Sequence, residues 1–206
     1  MEELRVLVRD GDDAGVVGRV KGLLDGGKAP EAIMNEALIP AMDEVGELFQ
    51  KGEYYLPEML IASRAMKSGL EVLRPLLAES GTEPVGMIAI GTVKGDMHDI
   101  GKNLVGMALE GAGFEVIDLG VDVPPGRFVE VIEEQKPVAI GLSALLTSTM
   151  VSMADVVRAI ESAGLRGMVK IMIGGAPVTQ AFCDEIGADF YGSDSTEGRD
   201  YARSLV

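Results

Sequence analysis

The hydrophobic pattern changes its period near residue 80, and that change limits the folds open to this chain more than any other feature. Before residue 80 the apolar residues recur at helical spacing. In 13–24, Val16, Val17, Val20, Leu23 and Leu24 fall on one face of a 3.6-residue helix, and Gly26-Gly27 ends it. Pro30 suits a first helical position, with Glu31 beside the positive end of the helix. Ile33, Ala37, Leu38, Met42, Val45, Leu48 and Phe49 continue an apolar face. Pro40 should kink or interrupt that helix, because it lacks an N–H and its ring crowds the carbonyl four residues back. Gly52 breaks the chain, and a last helix is expected from about Pro57 to Leu77. Residues 1–80 therefore predict a small bundle of about four helices.

Ser80-Gly81-Thr82-Glu83-Pro84 is polar and helix-breaking, and residues 81–84 are read as a linker. Beyond it, short apolar runs alternate with helical segments. The runs are Val85–Ile90, Phe114–Leu119, Val138–Ser143, Lys170–Ile173 and Ala188–Tyr191. The helical segments lie at about 100–112, 125–135, 149–163, 178–186 and 195–204. Strands alternating with helices at this spacing predict a parallel sheet covered on both faces. The expected fold class is α/β: a flavodoxin-like, doubly wound five-stranded parallel sheet in residues 85–206, preceded by the helical bundle.

Charge and composition narrow the function. Lys plus Arg number 18 against 33 Asp plus Glu, a net charge of -15. Such a surface repels nucleic-acid phosphates and anionic lipid heads. One Cys and one His are too few for a Cys/His zinc site or a disulfide framework, and they suit a reducing compartment. The N-terminus is charged from its second residue, unlike a signal peptide. The longest uncharged stretch, Pro137 to Ala154, contains Ser143, Thr147, Ser148, Thr149 and Ser152, and reads as a buried strand and a helix start, not a membrane span. A cytoplasmic protein with neither nucleic-acid nor membrane partners is expected.

In a doubly wound sheet, ligands bind beyond the carboxyl ends of the strands. Gly91-Thr92-Val93-Lys94-Gly95-Asp96-Met97-His98-Asp99-Ile100-Gly101 follows strand one, Ser143-Ala144-Leu145 ends strand three, and Gly174-Gly175-Ala176 follows strand four. Strands one, three and four are neighbours in the order 2-1-3-4-5, so the three segments should line one crevice. Taken singly each has an ordinary explanation: a loop histidine, a helix cap at Ser143 and a tight turn at Gly174-Gly175. His98 lies between Asp96 and Asp99. One histidine cannot hold a bare metal ion, but it can give one axial ligand to a metal held by a macrocycle. A carboxylate on its other ring nitrogen would fix the tautomer. GTVKGDMHDIGKN fits neither the P-loop nor the G-x-G-x-x-G pattern.

Asp96-x-His98-x-x-Gly101, then Ser143-x-Leu145, then Gly174-Gly175 resembles the signature of cobalamin-binding domains in which a histidine replaces the cofactor's own lower base. Gly52-Glu53-Tyr54-Tyr55-Leu56-Pro57-Glu58 resembles the cap of the methyl-carrying branch. The chain is similar to the small corrinoid proteins of methanogens and acetogens and to the cobalamin module of methionine synthase. The resemblance implies a cofactor, cobalamin or a related corrinoid (methylcobalamin), held base-off and His-on. It implies that Co(I) accepts a methyl group from a substrate methyltransferase. The group passes as methyl-Co(III) to an acceptor methyltransferase serving tetrahydrofolate or coenzyme M, and a reductive activase is the third partner. The chain would then be the corrinoid subunit of a multi-component methyltransferase.

By the same resemblance His98 is the lower axial ligand of cobalt, and Asp96 and Ser143 extend a hydrogen-bond relay. Met97, Asp99, Ile100, Gly101, Leu145, Thr147, Gly174, Gly175 and Ala176 line the cofactor and its tail. Tyr191 and Asp194 close the far end. Tyr55, Leu56, Met59 and Met66 either cap the upper face or belong to the bundle core. The alternative function is a cobalamin-dependent sensor, although no DNA-binding module is visible. A mutase small subunit and a phosphorylated receiver are further rivals. The receiver needs an aspartate after strand three, where Ser143 stands. The methyl donor stays open among methanol, methylamine, betaine and methoxylated aromatics.

Overall fold

A computed structural model describes residues 1–79 and 84–206. Pro84 apart, the segment read as a linker lies outside the described residues. The chain forms two compact units, Met1–Pro84 with Gly111–Gly113, and Val85–Glu110 with Phe114–Val206.

The first unit is helical: α1 (Glu2–Arg9), α2 (Asp13–Asp25), α3 (Pro30–Ile33), α4 (Ile39–Gln50) and α5 (Leu56–Glu79). Asp12 starts α2 by accepting the Gly15 N–H on its carboxylate at 2.9 Å, which satisfies one of the free amides at a helix start. Met34–Leu38 is a π-helical turn joining α3 to α4, so the chain stays helical through Pro40. The interruption expected at Pro40 is thus a widened turn, not a break. Pro40 has no N–H for the carbonyl of Glu36 four residues back. Arg5 fills that place, donating from Nε at 3.1 Å and Nη2 at 2.8 Å. Leu4, Val8, Val16, Val20, Ala37, Leu38, Ala62 and Leu73 are fully buried. At Gly69 a Cβ would lie 2.9 Å from the Val16 side chain, so glycine there lets α5 approach α2 closely.

The second unit alternates β1 (Met87–Thr92), α6 (Ile100–Gly111), β2 (Glu115–Asp118), α7 (Pro125–Gln135), β3 (Ala139–Ser143), α8 (Val151–Ser162), β4 (Lys170–Gly174), α9 (Gln180–Ile186), β5 (Phe190–Gly192) and α10 (Ser195–Arg203). Its five strands are all parallel, in the order β2-β1-β3-β4-β5. The fold class is the one expected from the alternating pattern. On one face Ala89, Ile140, Leu142, Ile171 and Ile173 bury against Phe128, Val131 and Ile132 of α7 and Met153, Val156 and Ile160 of α8. On the other, Gly106 of α6 lies over Ile90, where a Cβ would come within 2.8 Å.

Strand β1 runs two residues further than Val85–Ile90 allowed. Gly91 belongs to the strand because a Cβ there would lie 2.8 Å from the Phe128 ring, so only a bare backbone lets α7 pack on the sheet. At the carboxyl ends Thr92 pairs with Ser143, Ser143 with Gly174, and Gly174 with Gly192. Among the described residues no helix is long and apolar enough to cross a membrane.

Candidate functional site

The loop from β1 to α6 carries Asp96 and His98 at the carboxyl end of the sheet. Several bonds hang it in place. The Val93 N–H donates to the Ser143 carbonyl at 3.0 Å, and the Thr92 hydroxyl donates to the His98 carbonyl at 2.9 Å. The Ser152 hydroxyl donates to the Lys94 carbonyl at 3.0 Å. Asp99 is exposed at the mouth of α6, its carbonyl accepting the Asn103 N–H at 2.8 Å. Lys102, 4% exposed, fixes α6 to the end of β2 through Asp118 at 2.6 and 2.5 Å.

Asp96 is fully buried. Its Oδ1 accepts from His98 twice, from the backbone N–H at 3.0 Å and from the ring at Nδ1, 2.8 Å away. Its Oδ2 accepts the Thr149 hydroxyl at 2.6 Å and the backbone N–H groups of Leu145 and Leu146 at 2.8 and 3.3 Å. Burial alone would raise the pKa of Asp96. The hydrogen bonds from Thr149, from the His98 and Leu145 amides and from the His98 ring outweigh it, and hold the carboxyl well below the usual carboxylate range. An ionised carboxylate only accepts, so Nδ1 is the protonated ring nitrogen. In the neutral ring Nε2 is then the nitrogen with the free lone pair, on a side chain 52% exposed.

The third member of this arrangement is Thr149, not Ser143. Ser143 is half-buried at the end of β3, and its hydroxyl bonds neither Asp96 nor His98. The loop after β3 turns back on itself, with the Thr149 and Met150 N–H groups on the Leu146 carbonyl, and this brings the Thr149 hydroxyl onto Asp96. Thr149 was within reach of the sequence, as one of four hydroxyls in Thr147-Ser148-Thr149 and Ser152, but nothing in their order says which one the turn returns.

The glycines behave differently from one another. Gly175 has φ +132°, and a Cβ would fall 1.9 Å from the Ala144 carbonyl oxygen, so the β3 and β4 loops meet there backbone to backbone. At Gly174 a Cβ would come within 3.2 Å of the Gly192 carbonyl oxygen. Gly101 is the opposite case: a Cβ would meet nothing within 4 Å. Leu145, Thr147 and Ala176 are exposed near these turns. Tyr191 packs with the α7–α8 face of the sheet. Asp194 caps α10, its carboxylate accepting the Thr196 and Glu197 N–H groups at 2.8 and 2.9 Å, so its charge is already engaged. In the first unit Met59 and Met66 are 1% and 2% exposed. Of the two readings open for them, this burial fits the bundle core. Tyr55 is exposed and Leu56 half-buried.

Residues 86–199 match the B12 binding domain family, and residues 1–74 match a second family of B12 binding domains. The chain is 46% identical over 191 residues to dimethylamine corrinoid protein 1 of Methanosarcina acetivorans, covering 92% of this chain and 88% of the relative. Its fold superposes with TM-score 0.82 on a cobalamin-binding protein from Desulfitobacterium hafniense, at 32% identity over 100% of this chain and 98% of that one. It superposes with TM-score 0.88 on a chain of the methanol:cobalamin methyltransferase complex of Methanosarcina barkeri, at 27% identity, covering 98% of this chain and 78% of that one.

The residues present fit a corrinoid. Among the described residues no group of three or more His, Cys, Asp or Glu side chains is placed to hold a bare ion, whereas His98 offers one imidazole nitrogen with its partner nitrogen engaged. Met97, Ile100, Leu145, Leu146 and Val151 are large apolar side chains left exposed around the loop, the kind of rim that a flat macrocycle covers. The site and the matches agree: this chain belongs to the B12-binding-domain family of corrinoid proteins, and its cofactor is a corrinoid.

Proposed function

We propose that this chain is a methyl carrier that receives a methyl group from one methyltransferase and yields it to a second, with His98 as the lower axial ligand of a corrinoid bound base-off. When bound, the corrinoid supplies a cobalt centre that takes up and releases the methyl group. The observation that carries the reading is the Nδ1-to-carboxylate bond of 2.8 Å, which in the neutral ring makes Nε2 the nitrogen that can ligate. A ligating histidine is oriented in this way by its second hydrogen bond.

His98 presents the ligand atom, and Asp96 holds its tautomer. Thr149 and the Leu145 and Leu146 amides hold Asp96. Gly101, where a Cβ would meet open space, leaves room for the tail, and Gly174 and Gly175 shape its site by letting the turns after β3, β4 and β5 meet backbone to backbone. Met97, Ile100 and Leu145 cover the lower side of the ring, with Asp99, Thr147 and Ala176 at its margin. Ser143 lies on the floor of the tail site. Tyr191 and Asp194 bound its far end as backbone and packing, not as charge. Residues 1–80 form the cap, with Tyr55 and Leu56 as its accessible side chains. Methylated amines are the donor class this reading favours, because the relative at 46% identity is a dimethylamine corrinoid protein and the methanol system is at 27%. A methyltransferase is the first partner; an acceptor methyltransferase for tetrahydrofolate or coenzyme M and a reductive activase complete the set, in the cytoplasm. The sensor reading has no comparable support.

The test is to mix the purified protein with hydroxocobalamin, desalt it and record the visible spectrum. The protein should stay coloured, and His98→Ala should shift the bands and weaken methyl turnover at least about 10-fold. Colourless protein after desalting, or an unchanged His98→Ala spectrum, would overturn the assignment.

A further inference from the structure

Among the described residues only two that are not glycine have positive φ, Asp122 at 53° and Lys136 at 51°. Lys136 is explained by its place, since it is the left-handed cap of α7. Asp122 ends no helix. It lies in the loop between β2 and α7, where a left-handed conformation is disfavoured for any residue with a Cβ. What the conformation achieves is visible in its bonds. The Asp122 N–H donates to the Asp96 carbonyl at 2.9 Å, and the Asp122 carboxylate accepts the Gly95 N–H at 2.7 Å. One residue therefore holds the Lys94–Gly95 and Asp96–Met97 peptides, the two that flank the peptide entering Asp96. Around it the two loops are laced together: Thr92 N–H to the Gly120 carbonyl at 3.0 Å, and Val123 N–H to the Thr92 carbonyl at 2.9 Å.

We propose that Asp122 is a positioning residue for the cobalt ligand: its strained backbone and its carboxylate clamp Gly95–Asp96, and so set where the His98 ring is held. Asp96 reaches His98 through two bonds on Oδ1, so any drift of the Asp96 backbone moves the imidazole. The clamp needs an acceptor side chain on a residue that tolerates positive φ. Aspartate and asparagine meet both conditions, glycine meets only the second, and alanine meets neither. Asp122 touches no ligand; it acts through Asp96. The inference rests on the reading of His98 as lower ligand.

His98 is the only imidazole in the chain, so its ring nitrogens give one assignable set of NMR signals. We would compare wild type, Asp122→Asn, Asp122→Gly and Asp122→Ala by two measurements. One is the 15N shifts of the imidazole in protein without corrinoid. The other is the spectrum and affinity with hydroxocobalamin. Asp122→Asn should match wild type in both. Asp122→Gly relieves the strain but lacks the acceptor; its imidazole should lose the Nδ1–H preference, and its affinity should fall about 3- to 10-fold, the worth of one ordinary hydrogen bond. Asp122→Ala should be impaired at least as much. Wild-type imidazole shifts in Asp122→Gly would overturn the proposal, as would an equal loss in Asp122→Asn, which would assign the effect to charge. If wild type retains no corrinoid, the ligand reading fails, while the imidazole measurement still decides the clamp.

Discussion

Five hydrogen bonds converge on the Asp96 carboxylate, and they divide its oxygens: Oδ1 serves His98, and Oδ2 is tied to the loop after β3. The tie matters energetically because a buried carboxylate without donors is strongly destabilising. Thr149→Val removes the shortest of them and should destabilise the protein by about 1.5–3 kcal/mol, the range for a bond to a charged group. Thr149→Ser keeps the hydroxyl and should lose far less, and Ser143→Ala should leave Asp96 undisturbed. Urea unfolding of the corrinoid-free protein checks all three. If Ser143→Ala proved the damaging change, the assignment of Thr149 would be wrong. The pair Asp96–His98 was legible in the sequence because a bond between residues two apart depends on one short loop. The bond to Thr149 spans 53 residues, and it depends on a turn whose direction the composition of Leu145–Thr149 does not encode.

At the scale of elements, turns and strand ends decide what each glycine is for. Gly175→Ala would push a Cβ into the Ala144 carbonyl at positive φ, so we expect a loss of at least about 2 kcal/mol and poor folding with or without ligand. Gly101→Ala meets open space in the first turn of α6, so its stability should be unchanged or raised by up to about 1 kcal/mol, while corrinoid affinity falls. Paired melting and binding curves separate the two, and a destabilised Gly101→Ala would mean that this glycine is structural after all. Sequence alone ranks these glycines alike, since a missing side chain leaves no hint of what faces it. The strand order was readable, because alternating apolar runs and helices leave few right-handed parallel topologies. The end of β1 was not: Gly91 looks like a turn residue until Phe128 is seen lying across it.

For the whole molecule, the shift of period near residue 80 foretold the change from helices to an alternating sheet. The four-residue segment where one gives way to the other lies, Pro84 apart, outside the described residues. Cys183 offers a global probe. It is 1% exposed in the core of the second unit, and burial, with Asp184 and Asp189 adding repulsion, raises its thiol pKa. The native protein at neutral pH should therefore be inert to a thiol reagent, and modification should follow the unfolding of the sheet unit. Fast labelling of the folded protein would mean that α9 opens locally. The in-register row Thr92, Ser143, Gly174, Gly192 carries a wider consequence. Side-chain bulk steps down along it like a stair, from a branched alcohol to a hydroxymethyl group to bare backbone. The last two steps are taken up by the protein itself: a Cβ on Gly174 would come within 3.2 Å of the Gly192 carbonyl oxygen, and one on Gly192 within 3.4 Å of the Asp194 carbonyl oxygen, so the atoms left out along this row let the turns after β4 and β5 close on each other and on α10.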